Sequence, residues 1–265
     1  MLSIEQITRF DANGYLSPLS VFTCAEAQDL RAQYEAFEQR FGDQSVAKRT
    51  DLHLAQRWAW DVIHDPRIVS RVACLLGPNV LLWSINWFIK EPNTSKFVSM
   101  HQDANYWGLK PFNVITAWIA LSDASLETGP MRFLPGSHKA PLHEHDNTYH
   151  KDNLLSRGQV IKTSIDETKV LSAPLSAGEM SLHHVGIVHG SGPNTTNDRR
   201  IGMVLRYCAT DVRQTKGPDS AVLVAGTDTH GHFELEQAPE EDFGERETQR
   251  QARSTRRMGK IIHAD

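Results

Sequence analysis

The first 77 residues carry hydrophobic positions at helical spacing behind residues that favour helix N-termini. Ser3 can cap a first helix, and Thr23 can cap a second one over about 25–41. Asp65, followed by a proline, has the signature of a third helix start. The pattern therefore predicts a mostly helical N-terminal region.

Beyond residue 77 the pattern changes to short runs rich in β-branched and aromatic residues. In the first run, Trp83, Ile85 and Trp87 lie on one face of the predicted strand. Asn86 and Phe88 lie on the opposite face and would line a pocket if that face is inward. The predicted strands cover about 80–90, 112–121, 131–134, 180–182 and 200–209. Many short strands separated by Gly, Pro and Asn turns predict a mainly β sandwich or jelly roll with helical additions.

Two polar stretches, 143–159 and 214–237, are predicted to be long loops. The charged run 240–257 is predicted to be a solvated helix without a functional role. We expect one domain, made of a helical part (about 1–77), a jelly-roll core (about 78–212) and a C-terminal extension (about 213–265).

Composition narrows the class of partner. The net charge of −4 gives no basic excess for a nucleic acid, so a small-molecule substrate is favoured. No apolar stretch approaches the roughly 20 residues of a membrane span, and the N-terminus lacks a signal-peptide pattern. Three widely spaced cysteines form no disulfide framework or zinc motif, which indicates a reducing cytoplasm. The oligomeric state is not indicated.

Candidate metal ligands lie in two separate segments. His101 and Asp103 are two residues apart, so on a strand both side chains face the same side. His189 precedes a Gly-Ser-Gly-Pro-Asn turn and completes a set of two histidines and one carboxylate. Such a set binds one face of octahedral iron(II) and leaves three positions open. Two of these suit the chelating end of 2-oxoglutarate and the third suits O2.

An arginine after this turn is the second part of the prediction. The distal carboxylate of 2-oxoglutarate is well matched by a planar guanidinium. Arg199 and Arg200 both qualify, and strand alternation lets only one of them face inward. Arg206 is six residues after Arg200 on the same predicted strand, so both side chains would face the same side and could reach the same cavity.

Several other residues have plainer interpretations. His183 and His184 are more readily explained as structural histidines, although His184 could also orient a ligand. The group His143, His145 and His150 is predicted to lie in a solvated loop, without a second metal site. Trp83, Trp87 and Trp118 are predicted to be core residues.

The chain resembles the phytanoyl-CoA dioxygenase family of oxygenases. The resemblance lies in three segments, HQDANYWGL at 101–109, ETGPMRFLPGSHK at 127–139 and HGSGPNTTNDRR at 189–200. It implies a double-stranded β-helix, a cupin-like jelly roll, with iron bound by the three ligands already named. It also implies that Arg200, rather than Arg199, binds 2-oxoglutarate.

Further roles follow from the resemblance alone. It implies that Thr116 helps to bind the same carboxylate and that Trp107 lines the site. Halogenating members of the family have Gly or Ala in place of the carboxylate ligand, so Asp103 favours hydroxylation. The candidate substrate-binding residues are Asn86, Phe88, Asn105, Tyr106, Trp107, Trp118, Arg157 and Arg206.

The expected activity is hydroxylation of an unactivated C–H bond with release of succinate and CO2. A small polar or zwitterionic metabolite, such as an aminophosphonate or an amino-acid-like compound, is favoured because no Lys/Arg cluster lies near the site segments. The alternatives are a natural-product or acyl-thioester substrate, a non-catalytic metal-binding module, and a zinc hydrolase. The last would require a general base that the sequence does not offer.

Overall fold

The computed structural model describes residues 1–263. The helices are α1 (Ile4–Asn13), α2 (Cys24–Phe41), α3 (Ser45–Lys48), α4 (Arg57–Ile63), α5 (Pro66–Leu76) and α6 (Glu245–His263). The strands are β1 (Tyr15–Ser20), β2 (Val80–Lys90), β3 (Val98–His101), β4 (Leu109–Lys110), β5 (Val114–Ala120), β6 (Met131–Phe133), β7 (His145–Asn147), β8 (Gln159–Ile161), β9 (Leu171–Ala173), β10 (Glu179–His184), β11 (His189–Ser191), β12 (Arg200–Ala209), β13 (Arg213–Gln214), β14 (Ser220–Ala225) and β15 (Glu234–Leu235).

The predicted helix starts are correct, and side-chain hydrogen bonds fix them. Ser3 and Thr23 each accept a hydrogen bond from the backbone of the third helical residue, whose side chain bonds back to the cap. The Asp65 carboxylate accepts from the Arg67 N–H at 2.8 Å and starts α5. These caps satisfy backbone groups that a helix terminus leaves open.

Two facing sheets form the body of the molecule. The larger has the order β1-β10-β5-β12-β2-β14-β15, and the smaller has the order β3-β11-β6-β9. On β12, Ile201, Met203 and Leu205 face the N-terminal helices and belong to the main hydrophobic core. The alternate residues, including Val204, face the smaller sheet. The fold is a jelly roll with helices covering one sheet, as expected.

The N-terminal region is mostly helical, as predicted, but it also contains β1, which pairs with β10. Two predictions about long loops were wrong. The predicted loop at 214–237 contains β14, which pairs with β2 in the large sheet, and the loop at 143–159 contains β7, which pairs with β8. β14 is a short apolar run (SAVLVA) inside a stretch that is otherwise polar, and the polar composition of the whole stretch favoured a loop.

The alternation predicted for β2 is also interrupted. The pairing of β12 with β2 shifts between Arg206 and Tyr207, opposite Leu82 and Ser84. The shift leaves Trp83 unpaired as a bulge, so it packs against Trp107 rather than beside Trp87. A bulge depends on the neighbouring strand, which a single-strand pattern cannot show.

Helix α6 is not a solvated helix. Its inner side buries charged and polar side chains together with Met258. Arg250 donates to the Leu54 carbonyl oxygen at 3.2 Å, and Ser254 donates to the Asp51 carboxylate at 2.7 Å. The polar composition of this run therefore reflects bonded contacts with the segment after α3, in addition to exposure to water.

Within residues 1–263, none of the helices has the length and apolar character needed to cross a membrane.

The contact between Gly202 and Trp118 gives a stability test. A methyl group at Gly202 would overlap the Trp118 ring, whereas one at Gly259 on α6 would meet no atom within 4 Å. We expect Gly202→Ala to lower the free energy of unfolding by about 2 kcal/mol, because the inner layer has no room for it. Gly259→Ala should instead raise it by roughly 0.5–1 kcal/mol through helix propensity. Urea denaturation of both variants measures the difference, and a Gly202→Ala variant as stable as wild type would contradict this packing.

Candidate metal centre

Strand pairing brings the two candidate histidine ligands together. β3 ends at His101 and β11 begins at His189, and these two residues are directly opposite each other in the antiparallel pair. Asp103 lies just beyond β3, at the start of a short 3₁₀ turn. The intervening Gln102 has extended backbone angles, so Asp103 returns to the same side as His101.

The three side chains converge on one point. His101 Nε2 lies 3.3 Å from Asp103 Oδ1, and His189 Nε2 lies 3.8 Å from Asp103 Oδ2. One ligand atom from each residue lies within 4.8 Å of the other two. The three residues are nearly buried, which limits competition from water. The structure therefore brings the three predicted residues together in one cluster.

Backbone carbonyls fix the orientation of both imidazoles. His101 Nδ1 lies 2.9 Å from the Ser99 carbonyl oxygen, and His189 Nδ1 lies 3.0 Å from the Ile187 carbonyl oxygen. A carbonyl only accepts, so each Nδ1 carries the hydrogen and each Nε2 lone pair points to the shared centre. This arrangement prepares two neutral nitrogen ligands.

The protonation states suit a cation. Burial raises the pKa of Asp103, but the adjacent His101, followed by His189 and Arg206, outweighs this effect and holds the pKa of Asp103 below its usual value. Burial lowers the pKa of His189 to about 4, with a smaller contribution from His101. At neutral pH the cluster thus offers a carboxylate and a neutral imidazole, the forms that bind metal.

Arg200 and Arg199 point to opposite sides of the sheet. Arg200 is only 1% exposed and donates to the Gly129 carbonyl oxygen at 3.0 Å. Arg199 forms ion pairs with Glu38 at 2.8 Å and Glu91 at 2.9 Å on the outer side. The alternative left open by strand parity is therefore settled in favour of Arg200 as the inward arginine.

Arg200 reaches an inner cavity beside the metal ligands. The cavity is also lined by Thr116, Trp118, Ser191 and His183. Arg200 Nε and the Thr116 hydroxyl have no hydrogen-bond partner among residues 1–263. Burial lowers the pKa of Arg200 to about 9, so the guanidinium remains charged at neutral pH. A buried cation and an unpaired hydroxyl together suit a carboxylate.

A second buried basic side chain, Lys90, lies beside Arg200 and was not identified from the sequence. It is fully buried and donates to the Ser191 hydroxyl at 2.7 Å and to the Gly129 carbonyl oxygen at 3.1 Å. Burial, followed by the charge of Arg200, lowers the pKa of Lys90 to about 6. Lys90 lies four residues after Asn86 on β2, and alternate residues of a strand share a face. This shared face with a pocket candidate is the sequence feature that could have identified Lys90.

An outer cavity of about 300 Å³ meets the inner one at the metal ligands. Phe88, His101, Asp103 and Arg206 line both cavities. The other predicted substrate residues in the outer cavity are Asn86, Tyr106 and Trp107. The missed lining residues include Arg49, Thr50, Thr255, Met258, Gly259 and Ile262.

The remaining predicted substrate residues lie elsewhere. Trp118 lines the inner cavity, where its ring lies 5.0 Å below the Arg200 guanidinium carbon. Asn105 donates to the His143 carbonyl oxygen at 2.8 Å, and Arg157 donates to that of Ile262 at 2.9 Å. Neither Asn105 nor Arg157 is among the described residues that line the two cavities.

The histidine-rich loop is only partly solvated. His150 is exposed and packs its ring edge against Phe97, but His145 is partly buried and accepts a hydrogen bond from the Gln102 N–H at 3.0 Å. The prediction that this loop is solvated was wrong for His145, because its partner is distant in sequence. His184 accepts from the nearby Gly186 N–H at 3.0 Å, as a structural histidine would.

The donor set fits a mononuclear iron(II) centre. Two imidazole nitrogens and one carboxylate, clustered within 4.8 Å, are the donor set of the facial triad that binds iron(II) with positions left open. The adjoining Arg200 and Thr116 fit the far carboxylate of a bound 2-oxo acid. Fold and site together define a non-haem iron(II) and 2-oxoglutarate-dependent oxygenase.

Comparison with known proteins identifies the family. The phytanoyl-CoA dioxygenase (PhyH) family model matches residues 10–202. The chain is 25% identical over 239 residues to the peroxisomal phytanoyl-CoA dioxygenase of Rattus norvegicus, covering 80% of this chain and 70% of the relative. This chain belongs to the phytanoyl-CoA dioxygenase family.

Two further similarities are informative. A probable alpha-ketoglutarate-dependent hypophosphite dioxygenase of Stutzerimonas stutzeri is 31% identical over 154 residues, which is 57% of this chain and 52% of the relative. The structure of the non-heme monooxygenase ThoJ, in its apo form, has a TM-score of 0.87 and 34% identity, and covers 97% of each chain. The protein is therefore an enzyme of the iron(II)/2-oxoglutarate oxygenase class, with iron(II), 2-oxoglutarate and O2 as its cofactor and cosubstrates.

The opposite orientations of Arg200 and Arg199 provide a matched pair of variants. Arg200→Met should weaken 2-oxoglutarate binding about 10- to 100-fold, because hydrogen bonds to charged groups contribute about 1.5–3 kcal/mol. Arg199→Met removes ion pairs on the outer side and should leave the Kd of 2-oxoglutarate within about twofold. Anaerobic calorimetry with the iron-loaded protein measures both values. Equal weakening by the two variants would show that Arg200 has no special role.

Proposed function

We propose that the enzyme hydroxylates an unactivated C–H bond of a small polar or zwitterionic metabolite, releasing succinate and CO2. The observation that carries this proposal is the pair of cavities that meet at His101 and Asp103. One cavity offers a site for the cosubstrate, and the other offers a separate site for a substrate. Both molecules would thus meet at the same metal ion.

The inner cavity supports the cosubstrate part of the proposal. We assign the distal carboxylate of 2-oxoglutarate to Arg200, with Thr116 donating its otherwise unbonded hydroxyl. Iron(II) and 2-oxoglutarate supply the oxidising chemistry when bound, by coupling decarboxylation to O2 activation. The residues of the chain hold the metal, orient the cosubstrate and limit the access of water.

Size and polarity of the outer cavity support the substrate class. Its volume of about 300 Å³ is at the small end of ligand pockets. Asn86 and Arg206 offer polar contacts on the jelly-roll side, while Tyr106 and Trp107 supply flat apolar surface. The similarity to a probable hypophosphite dioxygenase also favours a small polar substrate. An aminophosphonate or an amino-acid-like compound combines these properties.

Asp103 supports hydroxylation as the outcome. Asp103 supplies a carboxylate at the ligand position that chloride would need, so this position would not be free to bind chloride. The reaction would therefore deliver oxygen to the substrate carbon that lies nearest the metal in the outer cavity. Helix α6 closes this cavity through Thr255, Met258 and Ile262, which would restrict access of water to the reacting carbon.

A substrate screen tests the proposal. The iron-loaded enzyme with 2-oxoglutarate and O2 is given a panel of amino acids, aminophosphonates and small organic acids, with an acyl-CoA thioester for comparison. We expect at least one small polar compound to raise succinate formation above the substrate-free rate and to gain one oxygen atom by mass spectrometry. Turnover of the thioester alone would overturn the substrate class but leave the oxygenase class intact.

Filling the outer cavity should weaken binding of the substrate without affecting binding of 2-oxoglutarate. Gly259 lines this cavity, and a side chain there would meet no atom within 4 Å of its Cβ. Gly259→Leu should raise the KM of the substrate about tenfold or more, while the Kd of 2-oxoglutarate stays unchanged. Lys260→Leu, on the exposed side of α6, is the matched control and should change neither constant. An unchanged substrate KM in Gly259→Leu would place the substrate elsewhere.

A further inference from the structure

The peptide that joins His101 to Gln102 is held by contacts from a distant loop. Gln102 is fully buried, and its side chain donates to the Gly186 carbonyl oxygen at 2.7 Å. Its Oε1 accepts from the His143 N–H at 2.9 Å. The Gln102 side chain therefore connects the two metal-ligand candidates to two other segments. One is the turn before β11, through Gly186, and the other is the loop before β7, through His143.

His145 makes the remaining bond to this segment. Its Nε2 accepts from the Gln102 N–H at 3.0 Å, and its Nδ1 lies 2.9 Å from the His143 carbonyl oxygen. A backbone N–H can only donate and a carbonyl can only accept, so the ring carries its hydrogen on Nδ1. The imidazole thus bridges the turn of the metal site and its own loop in one fixed orientation.

Neighbouring contacts hold this ring in place. Asn105, two residues after the ligand Asp103, donates to the His143 carbonyl oxygen at 2.8 Å. The Tyr106 ring meets the His145 ring edge-on at a centroid distance of 5.4 Å. The loop continues into β7, which pairs with β8. His145 therefore belongs to an ordered support behind the ligands.

We propose that His145 is a positioning residue for the iron centre, acting through the Gln102 N–H to fix the spacing of His101 and Asp103. The proposal rests on the iron centre of the proposed function. His145 is not one of the three clustered ligand candidates, and its Nε2 accepts a hydrogen bond from the backbone. Without this acceptor the buried Gln102 N–H has no partner, and the turn can relax away from the geometry that iron requires.

The effect should appear as a change in metal affinity. Groups that support metal ligands indirectly typically change metal affinity by about 10- to 100-fold when they are removed. We expect about tenfold weaker iron(II) binding in His145→Ala. His145→Gln should recover most of the loss, because its side-chain carbonyl oxygen can accept the same hydrogen bond, whereas His145→Leu should not.

His143→Ala is the matched control. The His143 backbone N–H and carbonyl serve the network, whereas its ring contacts the Thr163 hydroxyl at 3.1 Å. The variant keeps the backbone contacts and removes a histidine from the same loop. Its iron(II) affinity should match wild type.

The experiment is an anaerobic titration of the full-length apoprotein with iron(II), followed by tryptophan fluorescence, together with the Tm of each apoprotein. Wild-type affinity in His145→Ala, or equal weakening in His143→Ala, would overturn the role of His145. If His145→Ala does not fold, the comparison of His145→Gln with His145→Leu decides, and equal affinities would again overturn it. Failure of the wild type to bind iron(II) is a different result, which would overturn the proposed function itself.

Discussion

The pairing of β3 with β11 places His101 directly opposite His189, and the whole site depends on this register. A shift by one residue would turn one ligand to the other face of the sheet, because side chains alternate along a strand. The 3₁₀ turn after β3 then brings Asp103 back to the same point. Hydrogen bonds from both imidazoles to backbone carbonyls make the ligand geometry a property of the sheet itself.

Around this centre, the inner face of the large sheet carries three buried basic side chains. Arg200 and Arg206 lie on β12, and Lys90 lies opposite Arg200 on β2. Burying a cation is costly unless an anion accompanies it. Arg200 and Lys90 donate hydrogen bonds to carbonyl oxygens. Among residues 1–263, no carboxylate forms an ion pair with either side chain. This electrostatic pattern suits a dianionic cosubstrate, and it explains why polar residues persist where a purely structural jelly roll would be apolar.

The local parts of this arrangement could be predicted from the sequence. The runs that form β2 and β12 have clear strand composition, and their observed bounds match the predicted ones. The triad could be proposed because two histidines and one carboxylate form a known metal-ligand set, and the family resemblance made the choice of these three residues specific. Arg200 required the family resemblance, since parity alone left Arg199 equal to it.

The distant parts could not be predicted. Helix α6 has the composition of a solvated helix, yet Ser254 bonds Asp51 and Met258 closes the outer cavity. His145 reaches Gln102 across more than 40 residues of chain. Such contacts depend on how elements pack, and hydrophobic periodicity along one segment carries no information about its partner.

If His101, Asp103 and His189 hold an iron(II) ion, 2-oxoglutarate should chelate that ion. The most direct measurement is visible absorption during anaerobic addition of iron(II) and 2-oxoglutarate to the apoprotein. We expect a metal-to-ligand charge-transfer band in the wild type that is absent in His101→Ala. A folded wild-type protein without the band, or a band that persists in His101→Ala, would show that these residues do not form the iron(II) site.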